Sequence, residues 1–248
     1  MKVSIITTAF NSAATIRGTL ESVSKQDYHD IEHIVVDASS TDDTVKIVNE
    51  FPHVSVIVSE KDKGIYYGMN KGLRLCTGDI ICFLNSDDWY PQEDVISQVV
   101  NILRKNKVQV VYGDLQYVDR LNIEKIARTW RSGHFRRNSL YYGWMPPHPT
   151  FFARKEIYEQ VGLFNTSLRN AADYELMLRV LLNPEVHASY LPQVLVKMRR
   201  GGYSNAKLIH RLRANREDFK AWQINGLKPG MFTRYLKPLR KIPQFFLR

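Results

Sequence analysis

Short apolar runs alternate with helix-like segments through residues 3–105, and this alternation limits the possible folds more than any other feature. The apolar runs predict strands at 3–9, 31–36, 54–58 and 79–84. The segments between them predict helices at about 13–25, from a cap at 39–41 to 50, at 65–76 and from Pro91 to about 105. Strands that alternate with helices pair in parallel through right-handed connections. The sequence therefore predicts an α/β fold with a doubly wound sheet.

Acidic side chains follow three of these predicted strands. Asp37 ends the second strand, Glu60 and Asp62 follow the third, and Asp87 and Asp88 follow the fourth. The carboxyl ends of parallel strands meet at one edge of a sheet, where α/β proteins bind their ligands. We therefore expect these acids to converge on one binding site.

The segment Asn85-Ser86-Asp87-Asp88 has two readings. Adjacent carboxylates repel one another unless a cation or hydrogen-bond donors offset their charge. A divalent metal bound together with a diphosphate would do so, because hard cations prefer oxygen ligands. Asn, Ser and Asp also favour turns and helix caps, which would need no ligand. The motif alone does not decide between these readings.

The second half of the chain is less regular. Predicted strands at 108–112 and 115–118 are joined by Gly113-Asp114, and others follow at 123–130 and 189–196. Predicted helices cover 154–161, 172–182 and 205–223. The stretch 131–149 is rich in Gly, Pro, aromatic and basic residues and predicts a long loop.

The chain has 248 residues and a net charge of +10, with its basic excess in residues 199–248. A basic surface attracts nucleic acid, anionic lipid or a phosphorylated substrate, and charge alone does not choose among them. Cys76 and Cys82 form neither a disulfide framework nor a zinc pattern, which favours a reducing cytosol. No apolar run reaches 18 residues, and we interpret the amino terminus as a first strand rather than a signal peptide.

Five segments of the first half resemble one enzyme family when they are taken in order. They are Ser4-Ile5-Ile6-Thr7-Thr8-Ala9-Phe10-Asn11, residues 33–44 (HIVVDASSTDDT), residues 60–72 (EKDKGIYYGMNKG), Thr77-Gly78-Asp79 and Leu84-Asn85-Ser86-Asp87-Asp88. Their order and spacing resemble glycosyltransferase family 2, whose members have the GT-A fold. The resemblance covers about residues 1–200. It implies a Rossmann-like nucleotide-binding sheet with flanking helices and, here, a C-terminal helical extension.

The resemblance also assigns roles to individual residues. It places Thr8, Ala9 and Asn11 against the nucleotide base, Asp37 as a hydrogen-bond acceptor for the base, Asp62 facing the nucleotide, and Asn70 in the donor site. It assigns Asp87 and Asp88 to a DxD-type motif that holds Mn²⁺ or Mg²⁺ and the ribose-diphosphate. This sequence departs from the common form because Asn85 stands where an aspartate is frequent.

A second acidic motif lies at Ala171-Ala172-Asp173-Tyr174-Glu175. It resembles the family's pair of successive acids, but Ala172 replaces the first of them. The resemblance makes Asp173 the catalytic base, since inverting transfer needs a carboxylate that takes the acceptor's proton. Glu175 is a weaker candidate because it points elsewhere on a helix. The alternative is that Asp173 only supplies negative charge at a helix amino terminus.

Three further residues are candidate acceptor or phosphate contacts: His148, Arg199 and Arg200. The predicted GT-A domain covers 1–204, with a nucleotide-sugar-binding half at 1–106 and an acceptor-binding half at 107–204. The basic helical tail, 205–248, mixes aromatic and cationic residues. Such a tail either contacts an anionic membrane or packs on the core with its charges in water.

The resemblance implies an inverting hexosyl- or N-acetylhexosaminyltransferase that uses a nucleoside diphosphate sugar, expected to be a UDP-sugar. The expected acceptor is a saccharide or lipid-linked saccharide of a cell-surface polysaccharide, and the expected location is the cytoplasm or the inner face of the membrane. A non-catalytic nucleotide-sugar-binding subunit and a basic nucleic-acid-binding protein are the alternatives. No nucleic-acid-binding motif is visible, so a nucleic-acid partner is not expected.

Overall fold

The computed structural model describes residues 1–201, 208–230, 233–240 and 244. The strands are β1 Val3–Ala9, β2 Ile31–Asp37, β3 Val54–Ser59, β4 Ile80–Phe83, β5 Asp88–Trp89, β6 Val110–Val118, β7 Ile126–Trp130, β8 Phe152–Arg154 and β9 Ala188–Arg199. The α-helices are α1 Ile16–Ser24, α2 Thr44–Val48, α3 Ile65–Leu75, α4 Val95–Lys105, α5 Lys155–Val161, α6 Ala172–Leu182, α7 Leu208–Ile224 and α8 Thr233–Leu239. Two 3-10 helices cover Arg137–Tyr142 and His148–Thr150.

The strands form a single sheet in the order β3-β2-β1-β4-β8-β6-β9-β5, with β7 paired to β6. β1 to β4 pair in parallel, which confirms the predicted parallel sheet in the first half of the chain. The remainder is mixed, because β8 runs antiparallel to β4 and β6 whereas β9 runs parallel to β6. β5 comes from the first half of the chain and pairs with β9 from the second, so one sheet spans both predicted halves.

Helices cover both faces of the sheet, which explains why every residue of β1 except Thr8 is buried. Successive residues of β1 point to opposite faces. Ile6 packs in one core layer with Met69 of α3, while Ile5 packs in the other with Val99 of α4. A Cβ at Gly72 would lie 2.4 Å from the Ile6 side chain, so glycine is what allows α3 to approach β1 this closely.

The sequence analysis was wrong about the turn predicted at Gly113-Asp114 and about the first residue of α4. Residues 110–118 form the single strand β6, where the sequence predicted two strands and a turn at Gly113-Asp114. A Cβ at Gly113 would lie 2.4 Å from Leu195, so its glycine serves close packing against β9 rather than a turn. The helix predicted from Pro91 begins at Val95.

The late start of α4 has a specific cause in the residues before it. The Gln26 side chain donates to the carbonyl of Gln92 at 2.7 Å, and the backbone N–H of Asp27 donates to the carbonyl of Glu93 at 2.8 Å. These bonds hold residues 92–93 against the end of α1. The predicted loop at 131–149 also contains both 3-10 helices.

The predicted tail begins outside the described residues, and its helix α7 packs on the core. Trp222 is buried and donates from its indole N–H to the Tyr174 hydroxyl of α6 at 2.9 Å. This helix of the tail therefore packs on the core, and contact of the tail with a membrane stays a prediction. The predicted domain boundary at 204 lies outside the described residues, which stop at Gly201 and resume at Leu208. Within the described residues, no helix is both long enough and apolar enough to cross a bilayer.

A buried histidine pair makes the fold sensitive to acid. The ring of His33 in β2 is fully buried, 2.9 Å from the Thr7 hydroxyl and 3.2 Å from the His53 ring. Burial, helped by the neighbouring His53, lowers the pKa of His33 to about 3. Below about pH 6.5 His33 therefore binds a proton in the unfolded chain but remains neutral in the folded chain. The stability that a neutral His33 contributes is complete above that pH and is lost as the pH falls toward 3.

We expect the free energy of unfolding to fall as the pH is lowered from 6.5 to 4.5, with His33 contributing up to about 1.4 kcal/mol per pH unit. Urea unfolding of the wild type and of His33→Gln at several pH values measures this contribution. The variant should show the shallower pH dependence, whatever its stability at pH 7. Identical slopes for both proteins would contradict the prediction.

Candidate active site

The carboxyl ends of β1, β2 and β3 lie at the same level of the sheet. Ala9 pairs with Asp37, and Asp37 pairs with Ser59. β4 ends opposite Ile6, three residues before the end of β1, where the backbone N–H of Leu84 donates to the carbonyl of Ile6 at 3.0 Å, and residues 85–88 continue toward the same edge. The predicted convergence of polar strand ends on one edge is therefore observed, at the edge where α/β proteins bind ligands.

Asp37 shapes the turn that follows β2. Its buried carboxylate accepts hydrogen bonds from the Ser40 backbone N–H at 2.9 Å and the Ser59 hydroxyl at 2.6 Å, and the Ser40 hydroxyl donates to it as well. These bonds close a turn in which Ser39 adopts a φ of 58°. The predicted bond between Asp37 and a nucleotide base stays a prediction.

The turn after β1 is tied to the turn after β2. Thr8 and Ala9 end β1, and Asn11 follows with a φ of 47°. The Asn11 backbone N–H donates to the Ser40 hydroxyl at 2.8 Å, and its side-chain oxygen accepts from the Thr41 backbone N–H at 2.9 Å. The hydroxyls of Ser12 and Ser86 lie 2.8 Å apart, which adds the loop after β4 to the same rim.

Asp62 lies beside the end of β1, and its contact with a nucleotide stays a prediction. It pairs with Lys71 of α3 at 2.9 Å. A Cβ at Gly68 would lie 3.0 Å from the Asp62 carboxylate and 3.3 Å from the Thr8 side chain. The start of α3 is therefore packed between these two candidate donor contacts.

Asn70 is buried, and both polar atoms of its side-chain amide bond to the backbone of Phe164. The amide N–H donates to the Phe164 carbonyl at 2.9 Å, and the amide oxygen accepts from the Phe164 N–H at 2.8 Å. This pair joins α3 to the segment before α6. A contact between Asn70 and a donor sugar stays a prediction.

The Asp87–Asp88 pair lies in a poorly solvated setting. Asp88 is completely buried, accepts from the Asn85 amide at 2.9 Å on one oxygen, and has no hydrogen-bond partner among the described residues on the other. Burial raises the pKa of both carboxyls, and the charge of Asp87 raises that of Asp88 further. The Arg199 guanidinium donates to the Asp87 carbonyl at 3.1 Å and opposes both shifts.

These residues fit a divalent cation that is shared with a ligand. The described part of the chain contains no cluster of three His, Cys, Asp or Glu side chains that could hold a metal alone. Mg²⁺ is commonly bound by one or two carboxylates together with substrate phosphates. The unpaired oxygen of Asp88 beside Asp87 is the kind of donor set that such a cation would complete. Asn85 fits as well, because its amide donates to Asp88, which an aspartate could not do.

Asp173 occupies the first turn of α6, half-buried, and accepts a hydrogen bond from the Tyr66 hydroxyl at 2.9 Å. Tyr66 begins α3, directly after the loop that carries Asp62, and its ring stacks on Phe164. Burial and the Asp173 charge raise the pKa of Tyr66 well above its usual value, so it remains a donor. No local sequence pattern indicates this contact, because the two residues are 107 positions apart.

Tyr117 of β6 is a second residue that the sequence analysis missed. Burial is the main cause of its raised pKa, and the negative charges of Asp88 and Asp173 raise it further. In the sheet, Met198 of β9 pairs with both Tyr117 and Asp88, so Tyr117 lies two strands away from Asp88 in the same row. The Arg128 guanidinium lies over its ring at 4.0 Å and acts in the opposite direction.

The other candidate contacts lie in different surroundings. His148 is buried against Phe83, with 5.2 Å between ring centroids, and its Nε2 has no partner in the described structure. Burial lowers the pKa of His148, and the charge of Asp173 partly offsets this. Arg199 stacks over Trp89 at 4.7 Å beside Asp87, whereas Arg200 is exposed. Contact of these residues with an acceptor or a phosphate stays a prediction.

Comparison with known protein families places this site in context. The sequence model of glycosyl transferase family 2 matches residues 4–162, which include every donor-site residue named above. The chain belongs to glycosyltransferase family 2. It is 30% identical over 208 residues to a PGL/p-HBAD biosynthesis glycosyltransferase of Mycobacterium bovis, covering 82% of this chain and 78% of that protein. It is 32% identical over 183 residues to chondroitin synthase of Escherichia coli, covering 72% of this chain but 26% of that protein.

Solved structures show that this family 2 glycosyltransferase has the GT-A fold. S. aureus TarS 1-349 in complex with UDP-GlcNAc aligns with a TM-score of 0.71 at 18% identity, covering 90% of this chain and 65% of TarS 1-349. The mannosyltransferase PcManGT of Pyrobaculum calidifontis, in complex with GDP-Man and Mn²⁺, aligns with a TM-score of 0.67 at 21% identity, covering 95% of this chain and 68% of that chain. The predicted family, fold and enzyme class are thus confirmed.

We expect Asn85→Asp to destabilise this glycosyltransferase in the absence of metal and to make its stability depend on Mn²⁺. The substitution removes a donor 2.9 Å from Asp88 and puts a third carboxylate against it. The free energy of unfolding should fall by about 1–3 kcal/mol, and Mn²⁺ should recover most of the loss. Thermal unfolding with EDTA and with Mn²⁺ measures both effects.

Asn85→Ala is the matched control, since it loses the same hydrogen bond without adding a charge. Mn²⁺ should not rescue it beyond its effect on the wild type. An Asn85→Asp protein that is as stable as the wild type in EDTA would show that the amide does not support Asp88.

Proposed function

We propose that this glycosyltransferase is an inverting enzyme that moves a hexosyl or N-acetylhexosaminyl group from a nucleoside diphosphate sugar to a saccharide or lipid-linked saccharide. The observation that carries the proposal is the hydrogen bond that the Tyr66 hydroxyl donates to Asp173 at 2.9 Å, because it holds the candidate base against α3, the helix that follows the Asp62 loop. The candidate base Asp173 is therefore held beside the proposed donor site, on a different element from the carboxylates Asp87 and Asp88. Inverting transfer requires that arrangement, because the base and the leaving group act on opposite faces of the sugar.

The donor side is assigned to the rim around the ends of β1 to β4. The proposed contacts to the nucleoside are Thr8, Ala9, Asn11, Asp37 and Asp62. The proposed ligands of Mn²⁺ or Mg²⁺ are Asp87 and Asp88. When bound, the cation would offset the negative charge on the departing diphosphate. Arg199 lies against the backbone of Asp87 and can add a positive charge at the same place.

Asp173 is assigned the proton transfer. Its carboxylate takes the proton from an acceptor hydroxyl as that oxygen attacks the anomeric carbon, and the bond from that carbon to the diphosphate oxygen breaks. Tyr66 acts as a positioning residue, because its hydroxyl fixes one carboxylate oxygen of Asp173 and leaves the other for the acceptor. Tyr66 is the second residue of α3 and Asp62 lies in the loop before that helix, so one segment of the chain contributes to both proposed sites.

The named relatives support a nucleoside diphosphate donor and a glycan product, while leaving the base and acceptor to experiment. TarS was solved with UDP-GlcNAc and PcManGT with GDP-Man and Mn²⁺. The sequence relatives are named for PGL/p-HBAD biosynthesis and for chondroitin synthesis. We retain a UDP-sugar and a cell-surface glycan as the proposed donor and product.

Nucleotide binding is tested first by thermal unfolding with UDP, GDP, CDP and dTDP, each with Mn²⁺ and with EDTA. We expect UDP to stabilise the protein in the presence of Mn²⁺, because a ligand at about 100 times its Kd adds roughly 2.7 kcal/mol. Asp87→Ala should remove the shift. Asp43→Ala, an exposed acid at the start of α2, is the control that should keep it.

A shift with GDP instead of UDP would change the donor but keep the site. No shift with any of the four nucleotides, or a shift that survives Asp87→Ala, would contradict the proposed donor site.

Turnover tests the base. Asp173→Asn should bind UDP as the wild type does but reduce kcat by at least about 100-fold, since it cannot take a proton. Tyr66→Phe should reduce kcat by about 10- to 100-fold, the worth of a hydrogen bond to a charged group, with little change in donor affinity. Tyr67→Phe is the matched control, because that side chain is exposed and its neighbour makes the bond to Asp173.

Full turnover in Asp173→Asn would exclude Asp173 as the base. Donor binding without turnover in the wild type, over a panel of sugars and acceptors, would favour the nucleotide-sugar-binding subunit instead.

A further inference from the structure

A basic cleft lies between the 3-10 helix Arg137–Tyr142 and the end of α8. It has a volume of about 520 Å³. Its lining residues are Arg136, Arg137, Asn138, Ser139, Tyr142 and Arg240. Three of these six carry a positive charge and none carries a negative charge. We call this site the arginine cleft.

The walls of the arginine cleft are fixed by specific contacts. Gly143 adopts a φ of 75°, and a Cβ there would lie 2.5 Å from the backbone nitrogen of Lys237. Only glycine therefore allows α8 to approach the 3-10 helix this closely. The Thr233 hydroxyl donates to the Tyr141 carbonyl, and the Arg240 side chain donates from Nε to the Tyr142 carbonyl at 2.9 Å. The two walls are thus joined at both ends of α8.

The three arginines differ in what satisfies their charge. Arg137 donates to the carbonyls of Asn183 at 3.1 Å and Pro184 at 3.3 Å, at the carboxyl end of α6, where a cation is favourable. Arg136 and Arg240 are exposed, and neither has a carboxylate partner among the described residues. Two guanidinium groups in the cleft are therefore available to an anion.

Apolar surface adjoins these two arginines. The side chain of Tyr142 is 59% exposed and that of Leu239, next to Arg240, is 54% exposed. A soluble anion would need only the cations. Cations beside an exposed aromatic ring and an aliphatic side chain match the boundary between lipid headgroups and acyl chains.

We propose that the arginine cleft and its apolar rim dock the protein on an anionic lipid bilayer, with Arg136 and Arg240 contacting headgroup phosphates and Tyr142 and Leu239 entering the interface. The docking surface is separate from the transfer chemistry. Arg137 joins the cleft to the carboxyl end of α6, whereas Asp173 lies at the amino end of that helix. The helix has 11 residues, so its two ends are about 16 Å apart.

Vesicle flotation of the full chain tests this proposal. The wild type should float with vesicles of phosphatidylcholine and phosphatidylglycerol and should not float with phosphatidylcholine alone. Arg136→Gln combined with Arg240→Gln should weaken the partition by about 30-fold, since each cation near an anionic surface contributes about a factor of five. Tyr142→Ser should weaken it less.

Arg104→Gln combined with Lys105→Gln is the matched control. It removes the same net charge from exposed positions on α4 and should reduce flotation far less than the cleft variant. Equal losses in the two double variants, equal binding to both kinds of vesicle, or no flotation at all would overturn the proposal.

Two further measurements separate the remaining outcomes. If inorganic phosphate at matched ionic strength stabilises the wild type but not the cleft variant, the cleft is a soluble-phosphate site and the bilayer assignment is wrong. The UDP and Mn²⁺ thermal shift should be the same in the cleft variant as in the wild type. Loss of flotation with that shift retained shows that the cleft variant is folded and that donor binding is independent of docking.

Discussion

The parallel pairing of β1 with β2 and β4 determines where the candidate site can be. Because Ala9, Asp37 and Ser59 share one row of the sheet, the turns that follow these strands start from fixed points a few ångströms apart. Hydrogen bonds among the turns then need only short polar side chains, and Asn11, Ser12 and Ser40 provide them. A slip of one residue between β1 and β2 would turn each side chain to the opposite face and separate these partners.

On this rigid edge the chain places two carboxylates that have lost most of their hydration. The structure offsets their charge only in part, through the Asn85 amide and the Arg199 guanidinium. Burial still raises the pKa of both Asp87 and Asp88. Such an imbalance costs stability in the free protein and makes a cation with a diphosphate a favourable partner. The same argument explains Asn85, since a third acid would have deepened an imbalance that the amide reduces.

The parts of the structure that follow local rules could be predicted from the sequence. β1, β2 and α6 were predicted within a residue at each end because their apolar residues are continuous or periodic. The role of Gly113 was mispredicted, because a glycine that permits close packing and one that permits a turn look alike in sequence. The bond between Tyr66 and Asp173 joins positions 107 apart, and the bond between Arg199 and Asp87 joins positions 112 apart. No local pattern encodes such contacts, so the acids were found whereas their partners were not.

The last of these long-range effects concerns the helix that carries Asp173. The two residues after Asp173 accept hydrogen bonds from the tail. The Trp222 indole of α7 donates to the Tyr174 hydroxyl, and the side chain of Asn225, the residue after α7, donates to Glu175 at 2.9 Å. Glu175 also pairs with Arg179, so its buried charge is satisfied within the same cluster. The tail therefore supports the helix that carries Asp173, because Trp222 and Asn225 hold residues in the first turn of α6. Under the proposed function Asp173 must accept a proton in one geometry, and residues on either side of the predicted boundary at 204 hold the helix that carries it.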